Sequence, residues 1–258
     1  MEIRRHRGLT YYAFEILAPY PRLKHGVFAR YGPPETGGEL TFSFRPDLPA
    51  PKVLTSLSLA EEALGLGPAL MVGQTHSANV YYGEPARAGR PRGPQDLPQG
   101  YDALVAMPGQ SLLIKLADCQ GVLLFHPKTE ALALVHNGWR GTRQNILGKT
   151  VKFLSERLFV PPAELVAAVS PSLGPCCAEF LGYRTELPEE FWPYQNPANH
   201  YFDFWAIAKA QLAAAGLKPE SVQVAGLCTK CHPDFYSHRR GDKGRFAFMA
   251  GVSPNPVS

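Results

Sequence analysis

The chain has 258 residues, 45% of them hydrophobic and 19% charged, with a formal net charge of +4. This composition supports a sizeable core and excludes a disordered chain. It also gives no electrostatic case for nucleic acid, because Lys and Arg gather only in pairs such as Arg4-Arg5 and Arg239-Arg240; small anionic substrates remain compatible.

The N-terminal stretch has no apolar run suited to a signal peptide, and no segment approaches the ~18 apolar residues of a membrane helix, so a cytoplasmic protein is expected. The five cysteines agree, being odd in number in a chain too long to need staples. Residues 83–100, rich in Pro, Gly and Arg, are expected to form a loop within one domain. Short apolar runs at Tyr101–Ala106, Leu112–Leu116, Val122–Phe125 and Leu132–Val135 are predicted strands. Ile146, Val151, Leu154 and Leu158 place a helix over Thr142–Phe159. Leu165–Val169 is a further strand. Asp203–Ala215 is a helix that Asp203 can cap and Gly216 can end. Val222–Leu227 is another strand, and 251–258 is expected to fray. Helices and strands mix without strict alternation, and neither a GxGxxG nor a P-loop pattern occurs. A mixed-sheet α/β or α+β fold is expected, not a Rossmann fold or TIM barrel.

The most informative stretch runs from Ala117 to Gly141. Two apolar strands flank His126-Pro127-Lys128-Thr129, and Pro suits the second position of a turn. A turn centred between Pro127 and Lys128 sets Phe125 opposite Glu130, Leu123 opposite Leu132 and Cys119 opposite His136. Directly opposed side chains share a face. A Cys beside a His can be a thiolate–imidazolium nucleophile, half of a zinc site, or a buried structural pair. The segment His136-Asn-Gly-Trp-Arg-Gly141 favours a site: Gly138 and Gly141 permit close backbone approach, and Trp139 and Arg140 offer a stacking surface and an anion donor.

Eight segments in order, from about residue 25 to 249, resemble one family. They are HGVFARYG, GQTHSANV, YDALVAMPG, LADCQGVLLFHP, VHNGWRG, SPSLGPCCAEF, FDFWAIAKAQL and CTKCHPDFYSHRRGDKGRFA. The chain is similar to the laccase-domain proteins, also called multicopper polyphenol oxidase-like proteins, a family of purine nucleoside phosphorylases with adenosine deaminase activity. The resemblance implies a single domain over 1–258, a layered α-β-β-α sandwich similar to a toxin-type cysteine deamidase. It implies that His76, Cys119 and His136 are catalytic and bind zinc, leaving a fourth position open. It further implies phosphorolysis of adenosine, inosine, guanosine and methylthioadenosine, and deamination of adenosine. The expected partners are a purine nucleoside and phosphate, with neither nucleic acid nor membrane, on a monomer or homodimer.

Arg30, Arg140 and one of Arg239 and Arg240 are the candidates for phosphate, since arginine binds it in bidentate fashion. Gln74 is placed to contact substrate or orient His76, and Asp118 to support the ligands. The chain departs from the family pattern at Thr75, Ser77, Gln120, Gly121, Asn137, His238 and in the Gly-Pro-Pro-Glu-Thr-Gly-Gly segment from Gly32. None of these removes a ligand. Cys176, Cys177, Cys228 and Cys231 are read as packed thiols near the pocket, with a four-cysteine zinc site as the alternative. His6, His25, His126, His200 and His238 are read as structural or exposed, and the aromatic run 191–205 as packing. Two other chemistries compete. One is a metal-independent cysteine hydrolase or amidase acting on a cell-wall precursor, with Cys119 as nucleophile and His136 as base. The other is a copper-dependent polyphenol oxidase.

Overall fold

The computed structural model describes residues 1–83, 91 and 93–254. Much of the expected loop, 84–90 and 92, and the end of the expected frayed tail, 255–258, lie outside the described residues. In chain order the elements are β1 (Glu2–His6), β2 (Leu9–Ala13), β3 (Leu23–Phe28), α1 (Ala50–Leu64), β4 (Ala69–Leu70) and β5 (Val80–Tyr82). The central hairpins follow as β6 (Ala103–Ala106), β7 (Ser111–Leu116), β8 (Gln120–Phe125) and β9 (Leu132–Asn137). Then come α2 (Trp139–Arg143), α3 (Ile146–Leu158), β10 (Val166–Val169), α4 (Tyr183–Glu186), β11 (Gln195–Asn196) and β12 (Tyr201–Phe202). The chain closes with α5 (Phe204–Ala214), β13 (Val222–Val224) and β14 (Phe246–Val252).

Two six-stranded sheets, ordered β1-β2-β3-β14-β7-β4 and β13-β10-β8-β9-β6-β5, stack face to face. Strand alternation explains why both faces of each sheet are apolar. In β9, Leu132 and Leu134 face the other sheet with Leu123, Phe125, Ile114 and Phe248. Ala133 and Val135 face outward, onto Ile146, Leu147, Val151 and Leu154 of α3 and Ala208 and Leu212 of α5. On the opposite side Leu113, Ala247 and Met249 meet Val53, Leu57, Ala60 and Leu64 of α1. The layers are therefore helix, sheet, sheet, helix, the sandwich expected. The first sheet also takes in residues before 25, since β1 and β2 pair with each other and β2 with β3.

Three expectations are corrected in detail. The β8–β9 register pairs Gly121 with His136 and Phe125 with Leu132, not Cys119 with His136. The turn is longer than a four-residue turn, because Glu130 adopts φ 56° and the His126 amide donates to Ala131 O at 3.0 Å. The slip is even, so side chains keep their faces. The predicted helix from Thr142 is two helices, broken where Asn145 takes φ 54° and its side chain caps α3 by accepting from Gly148 N at 3.0 Å. Gly251 and Val252 do not fray; they pair with Lys24 and Leu23. The Asp203 cap holds, accepting from Ala206 N at 2.9 Å. Among the described residues no helix is long and apolar enough to cross a membrane.

Candidate metal centre and its cavity

His136 continues the Leu132–Leu134 face of β9, at the end of the strand, and so brings an imidazole to the edge of the space between the sheets. Cys119 immediately precedes β8, on a turn in which Asp118 takes φ 80°. His76 lies between β4 and β5, itself at φ 61°. Ligand atoms of the three residues all lie within 4.8 Å of one another, with Cys119 Sγ 3.9 Å from His76 Nε2. The two imidazole rings meet edge to face, centroids 4.9 Å apart.

Asp102 organises the group. It is fully buried, and a buried carboxylate is stable only when its oxygens are hydrogen-bonded. Here the backbone amides of Thr75, His76 and Ser77 donate to it at 3.1, 3.0 and 2.6 Å. The Ser77 hydroxyl adds a fourth donor at 2.8 Å. His136 Nδ1 completes the set at 2.7 Å, which leaves its Nε2 for the centre. One carboxylate thus holds the left-handed His76 turn and orients His136. Burial would raise the Asp102 carboxyl, but His136 and Ser77 outweigh it and hold it at about 2.

Burial would likewise push the Cys119 thiol up, but His136 and His76 hold it at about 6. Burial pushes His136 down, but Cys119 and Asp102 lift it to about 9. Without a cation these shifts favour a thiolate on Cys119 and a proton on His136; a bound cation would take that proton's place at Nε2. Gly138 is required for this packing: a Cβ there would stand 2.9 Å from both Cys119 Sγ and His76 Cδ2.

These residues open onto a cavity of about 560 Å³. Its cations are Lys115, Arg140, Arg239 and Arg245, and its rings are Trp139, Phe180 and Phe204. Arg140 stacks on Trp139 with its guanidinium carbon 4.3 Å from the ring centre. Arg239 is anchored at its backbone, which donates to Asp118 at 2.7 Å, and its side chain reaches Glu179 O at 3.0 Å. Gln74 lines the cavity, but its amide is spent on the Lys115 backbone, donating to O and accepting from N, both at 2.9 Å. Asp118 accepts from Thr229 Oγ1 at 2.6 Å and so steadies the Cys119 turn. Arg30 lies outside the lining. It pairs with Glu39 at 2.7 Å and Asp242 at 3.6 Å and sits 4.5 Å over the Tyr236 ring. Arg240 is likewise engaged, with the Thr229 and Lys230 carbonyls and Asp242.

Asp102, Lys115 and Arg245 are absent from the sequence candidates. Asp102 carries a legible signal, an acid inside the apolar run from Tyr101 to Ala106. Lys115 has a weaker one, interrupting an apolar strand, and burial lowers its ammonium to about 8. His238, expected to be structural or exposed, lines the cavity. His25 and His126 are buried, His25 accepting from Phe14 N at 2.9 Å and His126 contacting Thr129 and Glu164.

Two imidazoles and one thiolate facing an open cavity are the donor set of a three-ligand metal centre. The carboxylate behind His136 is the support such ligands carry. The residues therefore fit a borderline-soft divalent cation.

A Bacteroides thetaiotaomicron protein named purine nucleoside phosphorylase is 29% identical over 242 residues, covering 88% of this chain and 90% of its own. Purine nucleoside phosphorylase YlmD of Geobacillus stearothermophilus is 31% identical over 193 residues, covering 69% and 70%. The crystal structure of hypothetical protein YfiH from Bacillus licheniformis shares the fold, with TM-score 0.83 and 19% identity over 97% of this chain and 99% of its own. The family described as multi-copper polyphenol oxidoreductase laccase matches residues 40–253, and the chain belongs to that family.

Proposed function

We propose that this protein is a zinc-dependent purine nucleoside phosphorylase acting on adenosine, inosine, guanosine and methylthioadenosine, and that it also deaminates adenosine. One observation carries the reading: the His76, Cys119 and His136 ligand atoms converge on a cavity that also gathers four cationic side chains and three aromatic rings. The names of the Bacteroides and Geobacillus relatives supply the substrate class.

The roles divide by chemistry. Phosphate attacks the ribose carbon as a dianion and needs several cations; Lys115, Arg140, Arg239 and Arg245 provide them. The purine needs a flat apolar surface, which Trp139, Phe180 and Phe204 provide. The departing base takes a proton, and His238 is the cavity imidazole outside the ligand set. His76, Cys119 and His136 would hold zinc, which when bound supplies Lewis-acid polarisation of a substrate atom or water. Asp102 fixes the orientation of His136, and Gln74 ties the His76 segment to β7.

The test is to incubate the pure protein with each nucleoside, with and without phosphate, and analyse the products. Ribose 1-phosphate and free base that appear only with phosphate support the reading; no base release from any of them would sink it.

A second reading rests on the Cys119, His136 and Asp102 arrangement, which has the nucleophile–base–carboxylate order of a cysteine hydrolase. Full activity on an amide after complete metal removal would establish that alternative. The copper oxidase reading is weaker, since one three-ligand centre with a single cysteine supplies a mononuclear site.

A further inference from the structure

Cys176, Cys177, Cys228 and Cys231 take no part in the centre described above. Their sulfur atoms all lie within 4.8 Å of one another, although the two pairs are more than fifty residues apart in sequence. Cys231 Sγ is 3.8 Å from Cys176 Sγ and 3.5 Å from Cys177 Sγ. All four are free thiols. Four sulfurs placed ~2.3 Å from a central tetrahedral ion stand about 3.8 Å from one another. The two Cys231 separations, 3.8 and 3.5 Å, lie close to that figure and far exceed the ~2.05 Å of a disulfide.

The surroundings also suit a cation. Cys228 and Cys231 bracket a tight turn in which the Cys231 and His232 amides donate to Cys228 O at 3.1 and 2.9 Å. His232 is occupied elsewhere: its Nδ1 accepts from Asp234 N at 3.3 Å and its ring packs on Tyr12 and Phe235. The donor set is therefore four sulfurs, complete without water or substrate.

We propose that Cys176, Cys177, Cys228 and Cys231 bind a zinc ion in a closed tetrathiolate site that staples two loops of the cavity wall. Thiolate ligands select zinc among the divalent cations by softness, and a filled tetrahedral set makes the ion structural. The staple acts on the Cys119 turn through short links. Ser172 bridges to Cys228, and Thr229 N donates to Ser172 O at 3.0 Å. Leu173 N donates to Asp118 O at 2.8 Å, while Thr229 Oγ1 and Arg239 N hold the Asp118 carboxylate at 2.6 and 2.7 Å. Asp118 is the left-handed residue that presents Cys119.

The test is elemental analysis of the protein purified under reducing conditions without chelator, for wild type, Cys119→Ala and Cys231→Ser. Cys231 is exposed, so serine there is tolerated sterically. Wild type should carry one more equivalent of zinc than either variant, and each variant should keep one. Cys119→Ala, stripped and reloaded with Co²⁺ alone, should show the sulfur-to-cobalt charge-transfer and tetrahedral ligand-field bands of a four-thiolate site. Metal-free Cys119→Ala without those bands would overturn the proposal. So would wild-type metal content in Cys231→Ser, or a disulfide among the four thiols in freshly purified protein. If Cys231→Ser does not fold, the Cys119→Ala metal content and cobalt spectrum decide alone. Absence of nucleoside chemistry would leave this result untouched.

Discussion

Among the described residues two clusters have metal-binding chemistry, and they are built in opposite ways. His76, Cys119 and His136 mix nitrogen and sulfur, stand against a buried carboxylate and face a cavity. The four cysteines use sulfur alone and offer four ligand atoms within 4.8 Å of one another, the number a tetrahedral ion takes. An incomplete ligand set keeps room for a reacting atom, whereas a complete one can only hold structure. The difference is also one of support. The first cluster rests on strained backbone at His76 and Asp118, held by Asp102 and Thr229. The second rests on two turns, Gly174–Ala178 and Cys228–His232, closed by their own backbone hydrogen bonds.

The largest effect is expected at Gly138. Gly138→Ala places a methyl group 2.9 Å from both Cys119 Sγ and His76 Cδ2. Nucleoside turnover should fall to background and metal at this centre should be lost, while the four-cysteine cluster keeps its zinc; elemental analysis and product assay check both. Asp102→Asn comes next. It weakens the hold on His136 and on the Thr75–Ser77 amides, so metal affinity at this centre should fall about 10–100-fold in a competition with a chromophoric chelator. Arg245→Ala or Lys115→Ala should raise the KM for phosphate by roughly 10–100-fold, since a charge-assisted hydrogen bond contributes about 1.5–3 kcal/mol. Metal content should not change, which separates anion binding from metal binding.

A smaller effect belongs to neither cluster. Burial, aided by Arg4, holds the His25 imidazole at about 4, below its ordinary value of about 6.5. As pH falls through that value the unfolded chain takes up the proton first. The stability associated with neutral His25 is therefore intact above about pH 6.5, and up to about 3 kcal/mol is lost by about pH 4. Denaturant titrations across that window, compared with His25→Phe, should show the loss in wild type and a shallower slope in the variant.

Much of the fold is legible in local pattern. Alternation in Leu132–Val135 gives a strand apolar on both faces, and Asp203 and Gly216 mark the bounds of a helix. The pairing of β14 between β3 and β7 is not legible, because no local signal joins residues so far apart. The hairpin illustrates the boundary. Spacing placed Cys119 opposite His136, and the left-handed Glu130 moved the register by two, yet the even slip kept His136 on its face. Cys119 then reaches the centre through the Asp118 turn rather than through cross-strand opposition. His76 was legible only through resemblance. Asp102 is legible as an acid at the start of an apolar run, which demands partners, but its partners at Thr75–Ser77 and His136 are not. Arg30 looked suited to phosphate, but only the fold reveals Glu39 and Asp242 already beside it.

The most direct test measures zinc content and phosphate-dependent release of hypoxanthine from inosine in one preparation. Samples would be wild type as purified, wild type stripped at the His76, Cys119 and His136 centre, the same reloaded with zinc, and Cys119→Ala. The result expected is base release that vanishes on stripping, returns with zinc and is absent from Cys119→Ala. Undiminished base release from the stripped protein, or none from the zinc-loaded wild type, would contradict it.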